Sequence, residues 1–310
     1  MKFRIAMVLG LVLGGVSVLC AHDLFLKLDS YFLAPDTSVR ITVLNGTFTR
    51  SEGALVADRI TDISMVGPDG ITQLDVTEWS VEGDSSFLRL ETGDPGTYVV
   101  GVATRARNMD LEADAFNAYL EGDGIIDVLD ARRRGNELGK AVTERYSKHV
   151  KAVFQVGASR SSAFDTPLGY PAEIVPLQNP YSLSVGSELS VRCLVDGRPV
   201  ANQAVIAGGV HQGAAIEERM VRTDQYGVAR ITLDSPGKWY VKFVNMVEVA
   251  HDGLDYESKW ATLTFEIRWV SGEGRFVSPI HLSIRNLATL RSRGVEAAED
   301  GVHANLGALS

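Results

Sequence analysis

Throughout most of this chain, apolar residues that alternate with polar ones run for only a few positions before a turn interrupts them. Val39, Ile41 and Val43 alternate ahead of Asn45-Gly46. Ile60 to Val66 leads into Pro68-Asp69-Gly70, and Asp94-Pro95-Gly96 precedes Thr97-Tyr98-Val99-Val100. Further on, Asp196-Gly197-Arg198-Pro199, Thr223 to Gly227 and Ser235-Pro236-Gly237 divide the apolar runs in the same way. Proline presets one dihedral and glycine accepts positive φ, so such turns reverse the chain within a few residues. A parallel crossover needs a dozen or more. The pattern therefore predicts antiparallel sheets packed as sandwiches. The turn-then-aromatic-strand device of residues 94–99 recurs at 235–241, which predicts two similar sandwiches in tandem.

One stretch breaks the pattern. Residues 112–150 lack turn clusters and place Phe116, Tyr119 and Leu120, then Ile125, Val128 and Leu129, at helical spacing. The spacing predicts a helical segment, with Arg132-Arg133-Arg134 as a solvated helix end and Glu144 to Lys148 as its continuation. Ala152 to Val156 reads as a strand and residues 157–171 as a linker. Thr262 to Trp269 is the expected last strand. Beyond it only Ile280, Ile284 and Leu287 form a stripe, and the end of the chain is expected to fray.

The first residues point to export. Lys2 and Arg4 precede an apolar run from Ile5 to Leu19, too short to cross a bilayer comfortably, so residues 1–21 are expected to be a cleaved signal peptide. Leu19 and Ser17 do not make the lipobox that lipid attachment at Cys20 would want. Cleavage after Ala21 makes His22 the first residue, and cleavage after Cys20 is an open alternative. The expected location is the periplasm or the extracellular space. The exported chain keeps 28 basic and 39 acidic residues, a net charge of −11. A phosphate backbone calls for clustered Lys and Arg, so nucleic acid is not an expected partner. The one remaining cysteine, Cys193, shares a face with Val191 and Val195 and reads as a buried thiol.

A set of short stretches, in order, resembles a bacterial family. They are Ala21-His22-Asp23-Leu24-Phe25-Leu26, Asn45-Gly46-Thr47-Phe48, Glu144-Arg145-Tyr146-Ser147-Lys148, Glu173-Ile174-Val175-Pro176-Leu177, Pro236-Gly237-Lys238-Trp239 and Ser258-Lys259-Trp260-Ala261-Thr262-Leu263. The family is the domain of unknown function numbered forty-one ninety-eight, once labelled a nickel-uptake (NikM-like) component. The resemblance implies a periplasmic or surface protein with a C-terminal immunoglobulin-like domain. The expected fold class is thus mainly β, with two tandem immunoglobulin-like β-sandwich domains and a helical segment between them. The expected layout is a signal peptide (1–21), an N-terminal sandwich (22–111), the helical segment and linker (112–171), a C-terminal sandwich (172–270) and a tail (271–310).

No GxSxG elbow, HExxH, Walker A or GxGxxG pattern occurs, so no enzyme is expected. The six histidines carry more information. Imidazole suits copper, nickel and zinc. If His22 is terminal, its α-amine and ring can chelate one ion together. His251, in Glu248 to Asp255, repeats the Ala-His-Asp of residues 21–23, and Asp252 could orient its ring. His211 lies in a Gly-rich loop, Gly208 to Gly213. His149 is expected at a helix end, where a cation offsets the dipole; His281 and His303 fall in the tail. The expected metal ligands are therefore His22, His251 and His211, around one Cu(II) or Ni(II) ion. On this reading the protein is a non-enzymatic envelope carrier or an accessory to metal uptake. The alternative is a protein- or glycan-interaction module with no metal site. Convergence of the three histidines distinguishes the two.

Overall fold

The computed structural model describes residues 22–269; the expected signal peptide and the whole expected tail, with the stripe through Ile280, lie outside them. The first half supplies strands β1 (Asp23–Lys27), β2 (Phe32–Leu33), β3 (Ser38–Gly46), β4 (Ile60–Gly67), β5 (Gly70–Gln73), β6 (Trp79–Glu82), β7 (Ser85–Glu91), β8 (Gly96–Thr104) and β9 (Arg107–Leu111). Helices α1 (Ala113–Gly122) and α2 (Ile126–Arg134) follow, then the long β10 (Val142–Val156). The second half supplies β11 (Ala172–Pro176), β12 (Glu188–Val195), β13 (Arg198–Pro199), β14 (Ala204–His211), β15 (Ala214–Arg222), β16 (Val228–Thr232), β17 (Gly237–His251) and β18 (Leu254–Ile267). The turns work as their residues require. Asp196 and Gly197 both take positive φ between β12 and β13, as do Asp252 and Gly253 between β17 and β18.

These strands form a mainly β architecture of three sheets. One four-stranded sheet has the order β1-β3-β7-β6, and another joins β11, β12 and β13 with β16 on β12. The third has ten strands in the order β15-β14-β17-β18-β10-β8-β4-β5, with β2 and β9 also on β10. Each half thus has a small sheet of its own. The halves nevertheless share the large sheet, because β10 and β18 pair in parallel from Glu144↔Tyr256 to Ala152↔Thr264. One apolar core runs through Leu26, Val102, Phe154, Val191, Trp239 and Phe265. A parallel pair between strands a hundred residues apart leaves no local signal, so turn spacing could not anticipate it.

Three local expectations are corrected. Glu144 to Lys148 is strand, not helix: β10 pairs with β9 and β8 on one side and with β18 on the other. These pairings outweigh the helix propensity of Glu, Arg and Lys. The helices end instead at Arg134, and Arg132 is buried where a solvated end was expected. Its guanidinium donates to the carbonyls of Glu137 and Lys140, each at 2.8 Å, and so caps the segment that leaves the helix. Gly208 and Gly209 lie inside β14, where a side chain at Gly209 would strike the Lys238 carbonyl, so this is no flexible loop. Both helices pack Phe116, Tyr119, Leu120 and Leu129 against Val244, Tyr256 and Trp260.

Candidate functional site

Strand β1 pairs only with β3, so one of its edges carries carbonyls with no strand partner. That edge lies over the seam between β10 and β18. Side chains of the seam satisfy it at every second residue: Lys148 donates to the His22 carbonyl, Thr262 to Leu24 at 2.8 Å and Thr264 to Leu26 at 2.6 Å. The period of two is that of a strand whose alternate carbonyls face the same way. Satisfying them with side chains also blunts an open edge.

Around the His22 end of this edge, charges gather in low-dielectric surroundings. The Lys242 ammonium sits 2.5 Å from Asp23 and 3.1 Å from Asp123. Burial pushes the Asp123 carboxyl up to about 6, although Lys242 pulls the other way. Burial alone would lower Lys242, but the two carboxylates hold it above its usual range. Lys148 has no such partner. Its ammonium reaches the His22 carbonyl and, at 3.5 Å, the Asn45 side-chain oxygen, and it lies over the rings of Tyr146 and Trp260. Burial lowers its pKa to about 8, with Asp23 opposing that shift and Arg59 adding to it. Glu144, wholly buried, accepts from Tyr119 at 3.1 Å and from Ser258, and burial raises its pKa.

Among the described residues, three buried side-chain atoms have no hydrogen-bond partner: Asp23 Oδ1, Arg59 Nε and Glu144 Oε2. All three belong to residues whose charge acts on Lys148. Beside Lys148 opens a pocket of about 100 Å³, lined among others by Asn45, Arg59, Thr104, Arg107 and Tyr146. Chemically this is a small polar recess with cationic walls.

The structure does not bring the three expected metal ligands together. His211 ends β14 beside Gly237, the first residue of β17, and His251 is the last residue of β17. A strand of that length separates them by on the order of 40 Å. His22 adjoins Asp23, whose partner Lys242 lies five residues from one end of β17 and nine from the other. That is roughly 15 Å and 30 Å of strand. The neighbour of the His22 ring is Glu52, at 3.3 Å, while His251 faces Asp252 at 3.4 Å in the exposed hairpin tip. No group of three or more His, Cys, Asp or Glu suited to a metal ion occurs among the described residues. His149 is in mid-strand, not at a helix end. Its ring hydrogen-bonds the Trp260 carbonyl at 3.1 Å, and burial lowers its pKa to about 4. Cys193 is fully buried, as its alternation implies, and burial raises its thiol pKa far from any reactive range.

Sequence reasoning missed Arg59, Arg107 and Lys148. The available signal was Lys148 itself, a lysine that opens the run to Phe154 where all side chains turn out to be buried. A cation in such a run marks either an ion pair or a site.

A family profile, Domain of unknown function (DUF4198), matches residues 19–246, and the chain belongs to that family. No curated protein matches the chain. Among solved structures it is similar to the D0-D1 domain of intimin, at 14% identity and a TM-score of 0.18, covering 78% of this chain and 97% of that one. It is also similar to the human OSCAR ligand-binding domain, at 11% identity and a TM-score of 0.18, covering 79% and 99%. At that TM-score neither likeness bears on function.

Proposed function

We propose that this member of the family is an exported, non-enzymatic envelope protein that works as a binding module, with its site at the polar junction around Lys148. Its two halves are read as tandem immunoglobulin-like sandwiches fused through the shared sheet. The observation that supports the site is the gathering of Asp23 Oδ1, Arg59 Nε and Glu144 Oε2, each buried and unpartnered, about one lysine. An unmade buried hydrogen bond costs about 1–3 kcal/mol, so folded chains rarely keep several in one place without a use for them. Native mass spectrometry of protein purified from the cell envelope tests this. The expected result is a small-molecule adduct that a Lys148→Met variant loses. Bare protein in both preparations would count against it.

A second reading keeps the transition metal and moves its ligands. It is favoured by the Glu52 carboxylate, 3.3 Å from the His22 ring. If export leaves His22 first, its amine and ring with Glu52 could hold one Cu(II) or Ni(II), without His211 or His251. Such a protein would be a carrier or an accessory to uptake. Metal titration into protein beginning at His22 should then be weakened by His22→Ala and unchanged by the His211→Ala/His251→Ala pair. Equal affinity in wild type and His22→Ala would remove this reading.

A further inference from the structure

Resting on the binding-module reading, we propose that the pocket between Arg59, Arg107 and Lys148 binds a phosphoryl dianion, as free phosphate or as the head of a phosphate monoester. The size fits one such group. About 100 Å³ is the space of roughly three waters and well below the ~300 Å³ at which drug-sized pockets begin. No acidic residue lines it.

The charge fits as well. Among the described residues, Arg59, Arg107 and Lys148 have no carboxylate within 4.0 Å, whereas Lys242, Lys151 and Lys259 all do. Three unpaired cations around one recess, in a chain where acids outnumber bases 39 to 30, exclude a cationic ligand. They also favour a dianion over a carboxylate, which would leave two of the three charges uncompensated.

The donors are held in advance. Arg59 is 7% exposed, and one arm of its guanidinium is anchored on the Arg105 carbonyl at 3.2 Å, leaving Nε without a partner. The backbone N–H of Lys148 donates to the Thr104 hydroxyl at 2.9 Å, so that hydroxyl keeps its own hydrogen to give. The Lys148 ammonium meets only neutral acceptors, the His22 carbonyl and the Asn45 amide oxygen. Guanidinium groups and an ammonium lining one small recess match the several acceptor oxygens of a phosphoryl group. Of the acids of the junction, Asp23 and Asp123 are engaged by Lys242 and Glu144 accepts from Tyr119 and Ser258, and none of the three lines the recess.

The test is calorimetric titration of inorganic phosphate into the chain from residue 22 onward, with Arg107→Gln and Lys148→Met as variants. Arg107 is exposed and makes no ion pair, so Arg107→Gln should melt at the same temperature as wild type without phosphate. Saturable one-to-one binding is expected, weakened about tenfold or more in Arg107→Gln, as one lost charge-assisted hydrogen bond requires. Sulfate should compete, and acetate and chloride should not. Competition by glycerol phosphate would identify a monoester head as the ligand, and its failure to compete would identify free phosphate. Absence of saturable phosphate binding, or equal affinity in wild type and both variants, overturns the proposal. An adduct of another mass on envelope-purified protein, without phosphate binding, would overturn it while leaving the binding-module reading intact.

Discussion

Lys148 donates a hydrogen bond to the backbone carbonyl of His22, 126 residues earlier in the chain. It ties the first strand to the central strand of the ten-stranded sheet and holds a buried ammonium without a carboxylate partner. The bond therefore both closes an open strand edge and places a cation beside the recess.

The state of that ammonium should be visible in stability. Its pKa is about 8 in the folded chain against 10.5 when unfolded. Between those values the unfolded state binds more protons, so this lysine makes stability rise with pH, by up to about 1.4 kcal/mol per unit. Lys148→Met should remove that rise. Urea melts of both proteins at pH 8 and pH 10 check it. Lys27, Lys151 and Lys242 titrate in both proteins, so the difference isolates Lys148. The same pH dependence in both would show that Lys148 is not the source.

His149 works over the acid range. Its folded pKa is about 4 and its unfolded value 6.5, because burial opposes the charged ring. As pH falls from 6.5 towards 4, the unfolded state takes up the proton first and stability is lost, again by up to about 1.4 kcal/mol per unit. We expect His149→Asn to lose less stability across that window than wild type. Thermal melts at pH 6.5 and 4.5 measure this, and parallel losses in both proteins would contradict it.

Lys151 and Glu173 form an ion pair at 3.0 Å, with both side chains 2% exposed. Glu173 also accepts from the backbone N–H groups of Leu168 and Tyr170. Glu173→Gln keeps one of the two acceptor oxygens, sets an amide NH2 against the other backbone N–H, and leaves Lys151 charged and unpaired, which alone should cost about 3–5 kcal/mol. Adding Lys151→Met should recover most of that loss. A denaturant double-mutant cycle measures both, and additive losses would mean that the two residues do not act as a pair.

Export is checked by mass. Protein recovered from the envelope should lack the first 20 or 21 residues. Retention of Met1, or a diacylglycerol mass on Cys20, would overturn the reading of the leader.

The site was far less legible in the sequence than the strands around it. Gly70, Asp196 and Gly197 could be assigned because positive φ at a turn is demanded by neighbours in the chain itself. Cys193 could be placed inside because alternation with Val191 is local too. The histidines were grouped by residue type and by a repeated Ala-His-Asp. Nothing in that repeat reports distance: His211, at the end of β14, lies beside one end of β17, and His251 is at the other.

By itself, then, the sequence determined the mainly β class, where the turns fall, the helical run of Phe116, Tyr119 and Leu120, and the burial of Cys193. These follow from backbone dihedrals and from periodicity, which act over a few residues. Only the tertiary structure decided that Glu144 to Lys148 is strand, that β10 and β18 fuse the two halves, and that Arg59, Arg107 and Lys148 share one recess. Each of those outcomes depends on strands that pair across many tens of residues. There, burial and the satisfaction of β1's carbonyls at the β10–β18 seam outweigh the preferences of any local segment.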